Sequence, residues 1–192
     1  EGPGIYGNVI VADGQAVLSH LPLTGYESIE FKLATPGCSK GYDFSTMTGH
    51  PMHIYKISDR QPTTPGSQIY MLHFCSKEML SNEMTRVNRT MTGTVDQMVI
   101  DIFRSDIEST KNLIVEETKG IHKFVMPRLK PFNAISKLAA NAEPMKYASS
   151  GMIFYEDSTG YRFRSIENML AISGAARPVV AKFQQKPRNV KG

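Results

Sequence analysis

Residues Gln68-Ile69-Tyr70-Met71-Leu72-His73-Phe74 are apolar on nearly both faces of any extended reading. A run that short, β-branched and aromatic is too brief for a helix and reads as a strand buried inside a sheet. A central strand needs a neighbour on each edge, so the first half of the chain must supply them. Ile29-Glu30-Phe31-Lys32-Leu33 alternates apolar and charged residues, as a strand with one wet face does. Met52–Ser58 places His53, Tyr55 and Ile57 on one strand face. Between it and the central strand, Gln61-Pro62-Thr63-Thr64-Pro65-Gly66 is a turn or loop signal. Asp13-Gly14, between Val9-Ile10-Val11 and Ala16-Val17-Leu18, reads as a tight hairpin turn.

The period changes in the middle of the chain. Val95, Met98, Val99, Ile102 and Phe103 fall on one helical face, and Thr94 with Gln97 forms a capping-box pattern. Ser76–Val87 is expected to be a short helix or turn. Residues 112–118 and 121–126 read as two strands joined across Lys119-Gly120. Pro131 opens a second helix with a stripe of Phe132, Ile135, Ala139 and Ala142, ended by Pro144. Residues 151–155 and 161–164 flank the turn Glu156-Asp157-Ser158-Thr159-Gly160 as a hairpin, and Ser165 can cap a helix through Leu170. Val179–Phe183 reads as a last strand.

The expected fold class is α+β: a tube-like β-barrel or sheet domain, two or three short helices, and a second part containing a β-hairpin. Residues 1–128 would form the β-rich unit, with a helix inserted at about 94–104. Residues 129–183 would form the helix-plus-hairpin segment, and residues 184–192 a polar, basic tail or linker. At 192 residues, 41% hydrophobic and 21% charged, the chain can bury a core without disulfides or metals. The start at Glu1 and the polar end are read as signs of a processed chain or a portion of a longer one. No window approaches the ~20 apolar residues of a membrane helix, so no membrane insertion is expected.

The net charge is +4, with Lys and Arg scattered and no basic run interleaved with aromatics, which argues against a nucleic-acid-binding module. Cys38 and Cys75 are expected to be free, buried thiols, in keeping with assembly in a reducing cytoplasm. Gly2-Pro3-Gly4-Ile5-Tyr6-Gly7 matches a dinucleotide fingerprint in letters but lacks the preceding strand and following helix. His50 and His53 are short of two zinc ligands, and His20, His73 and His122 are isolated. Glu116-Glu117 point to opposite strand faces, and Glu156-Asp157 belong to a turn. Ser149-Ser150-Gly151 makes no nucleophile elbow. Asn88-Arg89-Thr90 fits a glycosylation pattern by chance, and Met84, Met91 and Met98 are expected to pack in a core. No catalytic, cofactor-binding or metal-binding residues are expected, and the chain is read as a non-enzyme that docks to other proteins.

One ordered series of segments carries a resemblance. It runs from Leu72-His73-Phe74-Cys75-Ser76-Lys77-Glu78 through Met91-Thr92-Gly93 and the helix after it. It continues with Leu129-Lys130-Pro131-Phe132-Asn133-Ala134-Ile135, Met152-Ile153-Phe154-Tyr155-Glu156-Asp157, and Gly160-Tyr161-Arg162-Phe163-Arg164-Ser165-Ile166-Glu167. Over roughly residues 68–172 this resembles the central baseplate hub subunit of contractile-tailed, T4-like bacteriophages, in which a P-F-x-x-I helix precedes a hairpin of this composition. The resemblance implies a homotrimeric structural protein of the virion tail baseplate, built from tube-like barrels and assembled in the host cytoplasm. It would join the tail tube to the central spike as a symmetry adaptor, with other baseplate proteins as partners and DNA only as passing cargo. Hub subunits are much longer, so this chain would be a portion or a reduced form, and its first 40 residues match only in β character. The alternatives are another tail component (a tube or spike-adaptor protein) and a tail-associated cell-wall hydrolase. The strand at 29–33 is the edge expected to pair with a neighbouring subunit, with Phe31 as its test position.

Overall fold

The computed structural model describes residues 3–171, apart from 16, 21–23, 26, 35, 37–40, 65 and 149–150. Cys38, the strand expected at 179–183 and the tail at 184–192 lie outside the described residues. The elements run β1 (Tyr6–Asp13), α1 (Val17–His20), β2 (Ser28–Ile29), β3 (Phe31–Leu33), β4 (Tyr42–Phe44) and a 3-10 turn at Thr46–Thr48. There follow β5 (Met52–Thr64), β6 (Ser67–Ser76), α2 (Lys77–Met84), β7 (Thr90–Gly93), α3 (Val95–Asp101) and a π-helical turn at Ile102–Asp106. The chain continues with β8 (Leu113–Val115), β9 (His122–Val125), α4 (Pro131–Ala139), β10 (Met152–Asp157), β11 (Gly160–Ser165) and α5 (Ile166–Leu170). The class is α+β, with a curled antiparallel half-barrel sheet and short helices.

The main sheet has the order β1-β6-β5-β2, which puts the apolar run of 68–74 on an inner strand, as its composition demands. Tyr70, Leu72 and Phe74 of β6 join Met52 and Ile54 of β5 on the inner face, where Leu18, Ile29, Phe31 and Phe44 cover them. The expected loop at 61–66 is far shorter. Strand β5 runs on through Pro62, and Ser67 already stands opposite Thr64. Only β6 pairs with this part of β5 among the described residues, so Pro62 sits where a missing N–H on the outer side costs nothing. Gly66, at φ 86°, supplies the left-handed residue of the tight turn.

Asp13-Gly14 is not a hairpin. The Asp13 carboxylate accepts the Gln15 amide at 3.0 Å and the Gln68 side-chain amide at 3.1 Å. These bonds end β1, and the chain turns into α1, whose Leu18 packs beneath the sheet. Residues 29–33 do not form one strand either. Ser28–Ile29 pairs with β5, whereas Phe31–Leu33 pairs with β4, so the chain changes sheets at Glu30.

The largest core lies beyond the main sheet. It gathers Val87, Val95, Val99, Ile102, Phe103, Ile135, Leu138, Tyr161 and Phe163, with Met79 and Phe154 against its edge. Helix α3 ends at Asp101, and the Ile107 amide reaches back five residues to the Ile102 carbonyl at 3.1 Å. This wider turn keeps Ile102 and Phe103 both inside the core. The capping box does not form, since Thr94 makes no side-chain cap. Thr118 serves instead: its hydroxyl accepts the Asp96 amide at 3.1 Å and donates to the Asp96 carboxylate at 2.6 Å. No hairpin forms across Lys119-Gly120, because the backbone at 117–119 pairs with 143–145 instead: the Lys119 amide donates to the Glu143 carbonyl at 2.8 Å and the Met145 amide to the Glu117 carbonyl at 2.9 Å. Strand β8 joins β11 in parallel, and β9 pairs antiparallel with β7.

Helix α4 begins at Pro131 and buries Phe132, Ile135 and Ala139 as its stripe requires, with Ala142 buried just past its end. The hairpin β10–β11 forms around 157–160. The Ser165 hydroxyl accepts the Asn168 amide at 3.1 Å and caps α5.

Candidate assembly surface

Strand β1 is a regular open edge of the main sheet; the outer side of β5 beyond Ile54 is also unpaired among the described residues, but bulges and Pro62 interrupt it. All eight residues of β1 pair with β6, and no other strand pairs with it among the described residues. Every second backbone N–H and C=O on its far side is therefore free to bond another chain. The sequence Tyr6-Gly7-Asn8-Val9-Ile10-Val11-Ala12-Asp13 has no Lys, no Pro and no bulge, the devices that usually protect an edge.

Both ends of β1 are pinned. At the far end, Gln68 bonds Asp13 and accepts the Arg60 Nε at 2.6 Å. At the near end, Ile5 donates its amide to Glu156 at 2.7 Å, and its carbonyl accepts the Ser76 amide at 2.9 Å. The Pro3 carbonyl accepts the Glu156 amide at 2.8 Å, so the arm before β1 lies along β10. Gly4 and Gly7 make this close passage possible. A Cβ at Gly4 would lie 2.5 Å from Met79 Cγ, and one at Gly7 would lie 2.8 Å from the Phe74 ring. The glycine pattern at the chain start thus serves packing.

Glu156 belongs to a buried ionic cluster. Lys111 Nζ lies 2.6 Å from Glu156 Oε1 and 2.8 Å from Glu78 Oε2, and the Ser109 hydroxyl donates to Glu78 at 2.6 Å. The Glu156 side chain is 1% exposed. Charges this dry persist only with such partners. The Tyr161 hydroxyl lies 3.4 Å from the Ser76 hydroxyl, and burial pushes its pKa well above the usual tyrosine range. Arg104 donates to the Ser109 and Lys111 carbonyls, holding the loop that delivers the lysine. The cluster joins the start of β1, α2, this loop and β10.

The register places Tyr6, Ile10 and Ala12 on the outer face of the sheet, beside Cys75, Met71 and Ile69. Ile10 is 67% exposed, and Tyr6 and Tyr55 are half exposed. Tyr55 is the extra residue of a bulge in β5, and its ring lies 6.1 Å from that of His73. A groove of about 600 Å³ runs from Tyr6, Tyr55 and Cys75 to Met79, Leu80 and Phe132. Cys75 is a buried free thiol, and burial pushes its pKa up to about 11. It is therefore protonated and a poor nucleophile at neutral pH. Charges border this surface at Lys56 on β5 and at the Lys130–Glu83 ion pair that lines the groove, while Tyr6, Ile10 and Tyr55 give it apolar area.

The other residues singled out in the sequence are scattered. His53 sits opposite Cys75 on β5, and His50 precedes that strand. No group of three or more His, Cys, Asp or Glu residues is arranged to hold a metal ion among the described residues. The Glu116 carboxylate accepts the Ser165 amide and hydroxyl at 2.7 and 3.0 Å, while Glu117 is exposed. Asp157 accepts the Thr159 amide at 2.8 Å within the hairpin turn, as turn chemistry requires. Glu156, assigned to that same turn by sequence, is a strand residue whose carboxylate enters the buried cluster. Met91 and Met98 are core residues, whereas Met84 is exposed. Phe31 is not an edge contact. Its ring packs 4.9 Å from that of Phe44 and 5.2 Å from that of Phe74. Sequence reasoning missed β1 as the open edge because the Asp-Gly signal assigned it a partner strand that does not exist. It missed the Glu78–Lys111–Glu156 cluster because no local pattern links residues so far apart in the chain.

No helix among the described residues is long and apolar enough to cross a membrane. No protein-family model and no curated protein matches the chain in sequence. The solved structures that match the chain include the following three. A prophage tail protein gp18 from Listeria monocytogenes shares 14% identity over 94% of this chain and 49% of its own length, at a TM-score of 0.47. The 43 kDa tail protein of prophage MuSo2 from Shewanella oneidensis shares 8% over 82% and 44%, also at 0.47. The c3393 protein of E. coli is a component of the type VI secretion system with structural similarity to the T4 bacteriophage tail proteins gp27 and gp5. It shares 10% identity over 83% of this chain and 42% of its own, at a TM-score of 0.53. The chain thus spans less than half the length of each of these structures, and what it shares with the E. coli protein is the fold.

Proposed function

We propose that this chain is a structural subunit of a contractile phage tail baseplate, and specifically part of a homotrimeric hub that joins the tail tube to the central spike. The observation that carries the reading is the open, uncharged edge of β1 on a half-barrel sheet. Such an edge is a liability in a free monomer and an asset in a ring, where each copy's sheet continues into the next. The likeness of fold to the E. coli secretion component supports it. In this reading the half-barrel sheet between residues 6 and 76 forms the tube-like unit and the elements around the large core from Val87 to Phe163 brace it, and the chain acts in the virion tail after assembly in the host cytoplasm. Its partners are the tube, spike and other baseplate proteins, its role is binding rather than catalysis, and DNA only passes through.

The test is the native mass and the symmetry of particles formed by the full chain, with Ile10→Asp as the variant. A threefold assembly that Ile10→Asp reduces to folded monomers supports the proposal. Sixfold rings replace it with a tail-tube reading. A chain that stays monomeric at high concentration, or an assembly indifferent to Ile10→Asp, overturns the edge as its basis.

A further inference from the structure

The backbone of β1 shows which of its groups are free. The Ile5 carbonyl accepts the Ser76 amide at 2.9 Å, and the register runs without a bulge from Tyr6 opposite Cys75 to Asp13 opposite Gln68. Ile5 and Ser76 are thus a bonded pair, and the alternation of an antiparallel ladder turns the N–H and C=O of Gly7, Val9, Val11 and Asp13 toward β6. Those of Tyr6, Asn8, Ile10 and Ala12 point away from it. The side chains of these same residues stand on the outer face, all of them exposed and none of them charged.

That edge is complementary to itself. Set antiparallel against a second β1 about a twofold axis at Val9, Tyr6 falls opposite Ala12 of the second copy and Asn8 opposite its Ile10. In this one register every outward N–H and C=O from Tyr6 to Ala12 has a partner on both strands. A large side chain lies beside a small one at each end, a polar one beside an aliphatic near the centre, and no like charges meet. The strand's charged residue, Asp13, is buried and already bonded to Gln15 and Gln68. The other side of the sheet offers β1 no such match. The register of β5 shifts between Ile54 and Lys56, Ser58 and Gln61, and Pro62 and Thr64, with Asp59 at φ 53°, and β2 has only two residues.

We propose that, away from the tail, two copies of this chain pair through β1 about a twofold axis, joining their half-barrel sheets and covering the edge. Self-pairing gives the free chain the protection that the edge lacks, since it carries no Lys, Pro or bulge. A threefold ring does not contain this contact. Each ring interface joins two different surfaces, whereas a twofold contact joins a surface to its equal. The dimer is therefore a resting form that must open before the edge meets a tail neighbour. It goes beyond the hub reading and rests on it only for the later use of the edge.

The test is the mass of the full chain in solution, with engineered cysteines to read the register. A dimer is expected. Val9→Cys should link the copies under mild oxidation, because an unbonded pair on the axis has Cα atoms about 4.5 Å apart, within disulfide reach. Val11→Cys faces Gly7 of the second copy, with its own equivalent about 13 Å further along, and should link no more than the wild-type chain. Asn8→Lys brings two ammonium groups to diagonal positions and should raise the dimer dissociation constant about tenfold or more while each copy stays folded. A chain monomeric at high concentration overturns the proposal, as does a dimer in which Val9→Cys and Val11→Cys link equally or not at all. A threefold particle in which Val9→Cys fails to link overturns it and leaves the hub reading standing. A linked dimer that never gives threefold particles upholds it while the hub reading fails.

Discussion

The two halves of the molecule differ in how completely they bury what they carry. Beyond residue 86, α3, the π-helical turn, α4 and the hairpin β10–β11 close around one continuous core in which Phe103, Ile135, Leu138 and Phe163 are fully buried. The main sheet supports two clusters of three buried residues each on its inner face. Its outer face leaves Tyr6, Ile10 and Tyr55 at half exposure or more, and its regular edge, β1, has no second partner strand among the described residues. One half closes around a large core, although Ile121, Val125 and Leu170 stay exposed on its surface. The other still has apolar surface and backbone hydrogen bonds to place, which is the signature of a part that completes itself against neighbours.

The contrast is most sharply tested where the halves meet. Lys111→Met leaves Glu78 and Glu156 buried without their cation, and removing one partner of a buried pair typically costs about 3–5 kcal/mol. Urea unfolding should show that loss, and hydrogen exchange should show the arm at residues 3–5 opening with it. A loss under about 1 kcal/mol would mean the cluster does not hold the seam. Within the half with the large core, Phe103→Ala empties a site walled by Phe154 and Tyr161 and should cost about 3–5 kcal/mol in the same assay. It should leave the surface of β1 unchanged.

Inside the sheet the effects are smaller. Phe31→Lys puts an ammonium among Phe44 and Phe74, but Phe31 is only half buried, so the charge can reach water. About 1–3 kcal/mol of stability should be lost, by a packing mechanism rather than a lost contact between subunits. Ile10→Asp lies on the open face and should change monomer stability by about 0.5 kcal/mol or less while removing association. If Ile10→Asp unfolds the monomer as Phe31→Lys does, the two halves are equally closed and the comparison fails.

The sequence made legible what rests on periodicity and composition. The central strand at 68–74, the stripe of α4, the hairpin at 152–165 and the Ser165 cap are each local patterns, and tertiary context agreed with them. What it left illegible depends on partners distant in the chain. Asp13-Gly14 has the letters of a hairpin, but Gln68, 55 residues away, claims the carboxylate. Thr94 and Gln97 spell a capping box, but Thr118 takes the role. Prolines at 62 and 65 read as a loop because nothing local shows that the outer side of β5 is unpaired there. The candidate surface was legible in kind, as an unprotected strand edge, but not in place. Phe31 alternates with polar neighbours as an edge residue would, and only its contacts with Phe44 and Phe74 reveal it as core.

The smallest expected effect concerns acid, and it too should fall on the half with the open edge. Burial holds the pKa of His50 and His53 below the ordinary histidine range, with Lys111 acting further on His50 and Lys77 on His53. In the unfolded chain both return to about 6.5. The unfolded state therefore takes up protons first as pH falls, so this contribution to stability is complete above pH 6.5. It is lost progressively below that, toward the depressed folded values. Between about pH 6.5 and 5 most carboxylates are still ionised, so the window isolates the histidines. Amide exchange at β5 and β6 should quicken in it while α3 and α4 keep their protection, because the histidines lie beside the sheet and not in the large core. His50→Gln with His53→Gln should flatten the slope. A slope that survives the double substitution, or exchange that quickens equally in both halves, would show that acid acts on the molecule as one unit.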